Sequence, residues 1–142
     1  MEDNNKYFKV ALNESLKSLK TSDVPVGAVI VYNDRIIAKG HNLKEKTNNV
    51  FSHAEINAIK KANKKLDSWH LDQCDMYVTL KPCTICENII KNSHIRNVYY
   101  LLDKPENKEE FYKTNFILVE NKLSTQQKII LSDFFKDKRY KK

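Results

Sequence analysis

Residues 80–88 read LKPCTICEN, and about thirty residues earlier the chain reads SHAEINAIKK. Together these stretches constrain the fold more than anything else in the sequence, because their side chains make chemical sense only if folding brings them together. Proline suits the first position of a helix, where its missing N–H would be unpaired anyway. Pro82 therefore predicts a helix start, with Cys83 and Cys86 at i, i+3 on one side of the first turn. Unpaired N–H groups and the dipole at such an end favour thiolates, so both sulfurs are ready soft ligands. His53 likewise opens a helix, directly after Ser52, a plausible cap. Glu55 is two residues on, roughly 200° round the helix. On a helix side it could not share a partner with His53, but at the tip both can reach a point just beyond the end.

Two helix starts converging on one spot would thus bring together an imidazole, two sulfurs and a free carboxylate. Three protein ligands and an open position is the arrangement of catalytic zinc, where bound water is acidified towards hydroxide. Other readings of the residues stay open. A C-x-x-C pair alone could be a redox couple, which would need neither the histidine nor the carboxylate. A closed structural zinc needs a fourth ligand. Cys74 lies a strand away, about 25 Å, and His94 eight helical residues away, about 12 Å; His41 and His70, in or near loops, are not excluded by length. Glu55 fits a proton shuttle, since a carboxylate accepts when ionised and donates when protonated. Its simpler role is a charge complementing the helix dipole.

Composition narrows the class. At 142 residues with 41% hydrophobic content the chain should form one domain, residues 1–142, with a real core. The longest nearly apolar run, VPVGAVIVY at 24–32, is too short to cross a bilayer, and MEDNNKYF does not resemble a secretion signal. Three cysteines, an odd number, argue against a disulfide framework. The expectation is a cytoplasmic protein with reduced thiols and no membrane contact. The formal net charge is +7, and residues 136–142, KDKRYKK, hold five positive and one negative side chain, hence +4 of it. Such an end is a solvated helix terminus or a phosphate-binding patch, with Lys136, Lys138 and Arg139 as its candidate RNA contacts.

Along the chain, apolar spacing predicts a helix over 5–20. The 24–32 run reads as a buried central strand, Asn33-Asp34 as a hairpin turn and RIIAK as the returning strand. A polar loop follows over 40–52, then a helix with Ala54, Ala58, Ile59, Ala62 and Leu66 inward and lysines 60, 61, 64 and 65 outward. Further strands are expected at 75–80, 96–102 and 115–120. A short helix follows Pro82, a turn or two of helix lies within 103–114, and a last helix is capped by Ser124 or Thr125. This order points to a sheet covered by helices on both faces.

H-A-E at 53–55 followed by P-C-T-I-C at 82–86 resembles the signature of the zinc-dependent nucleobase deaminases. The flanks, VPVGAVIV, GHN at 40–42, SHAEINAI, MYVTLKPCTIC and LSDFFKDKR at 131–139, are most similar to the bacterial tRNA-specific adenosine deaminases. The similarity runs from about Tyr7 to Arg139. It implies a three-layer α/β/α fold of the cytidine deaminase type, with a five-stranded mixed sheet, and usually a homodimer. It implies one zinc ion on His53, Cys83 and Cys86, with Glu55 as proton shuttle. Asn42 would hydrogen-bond the flipped base, the N–H groups of Ala54 and Cys83 would lie near the reacting atoms, and Phe51 would be a stacking wall or packing. The implied reaction converts adenosine to inosine at the wobble position of a tRNA anticodon loop, an arginine tRNA by analogy. Deamination of a free base, nucleoside or nucleotide, such as cytosine, guanine or deoxycytidylate, is the alternative; a zinc-stabilised RNA-binding module without activity is a third reading. Two features depart from the family pattern. Lys81 stands where glutamate is usual, and the segment 103–114 is shortened and lacks glycine.

Overall fold

The computed structural model describes residues 2–103 and 114–140, with side chains over 5–103 and 114–137. It divides into two compact units, one reaching to Glu106 and one starting at Asn107.

The first unit is built around the apolar run. Strand β1 (Gly27–Tyr32) is buried almost end to end, and its alternation feeds two separate cores. Ala28 and Ile30 belong to a large cluster with Ala54, Ala58, Ile59, Met76, Cys86 and Ile90; Val29 and Val31 belong to a smaller one with Tyr7, Ala11 and Tyr77. A strand that is apolar on both faces must be covered on both. Helix α1 (Glu2–Ser18), followed by a short 3-10 turn at Leu19–Thr21, covers one side. Helices α3 (Ala54–Leu66) and α4 (Thr84–Asn92) cover the other. Strand β2 (Arg35–His41) returns antiparallel to β1. Asn33 and Asp34, with φ of 50° and 60°, make the expected two-residue hairpin turn. Strand β3 (Cys74–Val78) pairs antiparallel on the other edge of β1, and β4 (Asn97–Tyr100) pairs parallel to β3. The order is β2-β1-β3-β4.

Several sequence expectations are corrected. The sheet has four strands among the described residues, not five. Residues 115–120 join no ladder among the described residues. The second unit contains one helix, α5 (Lys122–Tyr140), and no strand among its described residues, so this stretch has β-forming side chains without a partner to realise them. The loop over 40–52 contains a single helical turn, α2 (Lys44–Thr47). Helix α5 starts a turn earlier than expected because Asn121 caps it: its Oδ1 accepts from the Leu123 N–H, while Ser124 Oγ accepts from the Asn121 N–H. The helix expected within 103–114 lies mostly outside the described residues. No described helix is long and apolar enough to cross a membrane.

Both glycines are sites of close approach. A Cβ at Gly27 would stand 1.9 Å from the Ala11 carbonyl oxygen, and one at Gly40 would stand 2.3 Å from that of Ala54. Helix α1 is thereby seated on β1, and the first turn of α3 on β2, through backbone contact that only glycine permits. Gly27→Ala must push α1 off the sheet, with an expected loss of about 1–3 kcal/mol or more in chemical denaturation. A loss near zero would show that the helix is not held this closely.

Candidate metal centre and active site

Helices α3 and α4 begin with the same device. His53 is the N-cap of α3 (φ −79°, ψ 152°) and Cys83 the N-cap of α4 (φ −69°, ψ 171°); neither side chain caps its own helix. The extended backbone at a cap frees the side chain to point past the helix end, and here the two ends face each other. Ser52 therefore lies one position, and Pro82 two positions, further out than expected. Ser52 Oγ instead accepts from Asn57 Nδ2 at 3.1 Å.

His53 Nδ1 lies 3.7 Å from Cys83 Sγ and 3.4 Å from Cys86 Sγ. All three ligand atoms lie within 4.8 Å of one another. Around a tetrahedral zinc, with Zn–S near 2.3 Å and Zn–N near 2.0–2.1 Å, ligand atoms stand roughly 3.5–3.8 Å apart. The trio has the dimensions of one face of that tetrahedron, with Nδ1 rather than Nε2 turned inward. Glu55 is buried beside it and hydrogen-bonds with Cys86. Four of the expected site residues are thus assembled. The distant candidates are not: among the described residues this trio is the one group that could hold a metal, and it includes none of Cys74, His41, His70 or His94.

The protonation states suit metal capture. Burial, with the nearby charge of Lys44, holds the His53 imidazole below its usual pKa, so it is neutral and its lone pair is free. Burial, the charge of Glu55 and the neighbouring Cys83 push the Cys86 thiol well up. Without metal it keeps its proton.

The loop that delivers His53 is pinned by two asparagines. Asn42 Oδ1 accepts from the Ala54 N–H at 2.8 Å, and its Nδ2 donates to the Val24 carbonyl at 3.0 Å. Asn57 Nδ2 donates to the His41 carbonyl at 2.9 Å as well as to Ser52. The Leu43 N–H closes the loop on the Ser52 carbonyl at 2.9 Å. Sequence reading missed Asn57. Its signal was present, as a polar residue one turn after His53 on a helix whose neighbours face the core. Phe51 is 62% exposed, so packing does not explain it. Lys81 donates its N–H to the Leu102 carbonyl at 2.8 Å, and its ammonium lies 5.9 Å from the centre of the Tyr100 ring. Lys136 is exposed on α5; the side chains of Lys138 and Arg139 lie outside the described residues.

Residues 1–102 match the family model of the cytidine and deoxycytidylate deaminase zinc-binding region. The chain belongs to this family. Its zinc cofactor agrees with the donor trio found here. Among curated relatives the deaminase is similar to the tRNA-specific adenosine deaminase of Bacillus subtilis, 34% identical over 96% of this chain and 91% of the relative. It is 35% identical to the enzyme of that name from Buchnera aphidicola, over 94% and 95% of the two chains. Among solved structures, one from studies of A-to-I editing by tRNA:A34 deaminases aligns with a TM-score of 0.70 at 37% identity, covering 72% of this chain and 79% of the other. Guanine deaminase from Bacillus subtilis aligns with a TM-score of 0.79 at 25% identity, covering 91% and 93%.

Because metal binding must expel the Cys86 proton, zinc affinity should fall as pH falls, by about tenfold per pH unit for each proton displaced. Competition against a chelator of known pH dependence, between about pH 6 and 8, checks this. A pH-independent affinity would mean that Cys86 is not a ligand.

Proposed function

We propose that this deaminase hydrolyses adenosine to inosine at the wobble position of a tRNA anticodon loop, an arginine tRNA by analogy. The observation that carries the chemistry is Glu55, buried and hydrogen-bonded at the edge of the His53–Cys83–Cys86 trio. The substrate class is supported by the near full-length similarity to tRNA-specific adenosine deaminases. A zinc ion on the trio supplies Lewis acidity that makes water nucleophilic near neutral pH.

The chain's own residues do the rest. Glu55 takes a proton from the attacking water as its oxygen bonds to C6 of adenine, and delivers that proton to N1. It then takes the second proton from the new hydroxyl and gives it to the departing nitrogen, so that the C6–N6 bond breaks and ammonia leaves. Burial of the carboxylate excludes bulk water from this exchange. Asn42 sits where one amide can hold the α3 start and present its second Nδ2 hydrogen to the base. Phe51, exposed beside His53, offers a ring face to a flipped base. An adenine in a single-stranded loop is already partly unstacked, which lowers the energy needed to extrude it.

The tail at 136–142 would pair with anticodon-stem phosphates through Lys136, Lys138 and Arg139. Residues 1–142 then act as one deaminase domain, as a homodimer, in the cytoplasm. A free purine base is the second reading, supported by the fold similarity to guanine deaminase across 91% of the chain. Deleting 136–142 separates the two, since a basic tail serves an RNA and not a free base.

Zinc-loaded protein should convert a wobble-A anticodon stem-loop to the inosine form, read by sequencing. Glu55→Ala should lower turnover by a factor on the order of 10²–10⁴ or more while keeping zinc and fold. No inosine from the wild type rejects the substrate. Loss of zinc or unfolding in the variant rejects the shuttle.

A further inference from the structure

At the outer edge of the sheet, β2 is flanked by α1 on one face and α3 on the other, and between them lies a cleft of about 440 Å³. Its floor is apolar, from Ile36, Ile37 and Ala38. Its rim is basic: Lys17 from α1, Lys39 and His41 from β2, and Lys61 and Lys65 from α3, against one acid, Glu14. Four lysines less one glutamate give +3 with His41 neutral.

The basic character is more than a wet helix face. Lys61 and Lys65 stand at i, i+4, a like-charge spacing that weakens an isolated helix, and no acid lies between residues 56 and 66 to relieve it. Glu14 is buried and already ion-paired with Lys17. Burial acts to raise its carboxyl. The hydrogen bond and charge of Lys17, with His41 and Lys39 behind, outweigh that and hold it below the usual carboxylate range. Its charge is thus spoken for by Lys17. His41 Nδ1, 3.6 Å from Glu14 Oε1, is beyond hydrogen-bond reach. Lys61 Nζ donates to the Lys39 carbonyl at 2.9 Å, which holds its ammonium over the strand edge.

We propose that this cleft is a second phosphate-binding surface, which takes backbone phosphates of the RNA whose loop enters the active site. The proposal rests on the reading that the substrate is RNA. Lys61 and Lys65 lie six and ten residues beyond Glu55 on α3, roughly 9 and 15 Å along its axis. That length matches roughly three or four stacked nucleotides. Lysines on flexible stems over an apolar floor suit phosphates approached from outside, where contact fixes position and not sequence.

The test compares two charge-matched triple variants of the full zinc-loaded chain: Lys39→Gln/Lys61→Gln/Lys65→Gln in the cleft, and Lys6→Gln/Lys9→Gln/Lys20→Gln on and just after α1. Fluorescence anisotropy measures binding of the anticodon stem-loop across a salt series. The cleft variant should weaken binding about tenfold at about 0.1 M salt and reduce the slope of log affinity against log salt by about two. The other variant should do neither. Equal effects from both, or unchanged binding by the cleft variant, overturn the proposal. So does displacement of the RNA by polyglutamate as effective as by unlabelled RNA of equal charge, since that would mark an acidic peptide site. If wild type binds the RNA through the cleft but forms no inosine, the functional reading fails while the cleft assignment stands.

Discussion

The meeting of two helix N-termini is the constraint on which the rest of this molecule depends. A helix start presents unpaired N–H groups and a partial positive charge, and its cap residue has extended backbone. In most helices the cap side chain turns back to satisfy those N–H groups. His53 and Cys83 do not. Their side chains are directed across the gap to each other, and part of the capping task at α3 passes to Asn42, which takes the Ala54 N–H from outside the helix. The metal-binding geometry is therefore inseparable from the loop over 42–52, held by Asn42, Asn57 and the Leu43–Ser52 backbone bond.

Electrostatics explains why a cation completes such a site. Glu55 and Cys86 are both buried and in contact, and the charge of Glu55 makes ionisation of the Cys86 thiol harder. Two buried acidic groups side by side are unfavourable unless one keeps its proton or a positive ion joins them. Helix dipoles contribute only partial charges. A divalent ion on the neutral His53 imidazole and the two sulfurs would offset the repulsion outright. The same argument sets the tight seating of α3: with Gly40 against the Ala54 carbonyl, the helix start cannot drift from the sheet that also carries α4 through β3.

Much of this was legible in the sequence, because two signals were local and strong. The run at 24–32 reads as a central strand buried on both faces, and its 27–32 part is β1, with separate cores on either side, while Val24 lies outside the strand and is exposed. The His-Ala-Glu and Pro-Cys-x-x-Cys spacings could share one spot only at helix tips, and they do. What escaped was non-local. The stretch 115–120 reads as a strand because Phe116, Ile117, Leu118 and Val119 favour extended backbone, yet a strand exists only through its partner's hydrogen bonds. Ser52 lies one position and Pro82 two positions outside the expected helix starts, because His53 and Cys83 take the cap positions while their side chains turn away from their own helices. Asn57 stands out as a polar residue on a core-facing helix, but its partners, the Ser52 and His41 groups, are brought to it only by folding.

The zinc centre itself says little about which base is deaminated. The chain aligns with an adenosine deaminase of tRNA and with a guanine deaminase, at TM-scores of 0.70 and 0.79, so one scaffold serves different substrates. Discrimination must then reside in groups that surround the base and its backbone rather than in the groups that activate water. On this chain an exposed aromatic ring at Phe51, a lysine at 81 lying over Tyr100, and lysines spread along β2 and α3 are available for that task. A free base has no phosphates to engage the lysines. Only a substrate with a phosphate backbone can use all three at once, which is why the cations along the edge of the sheet favour the proposal of the longer ligand.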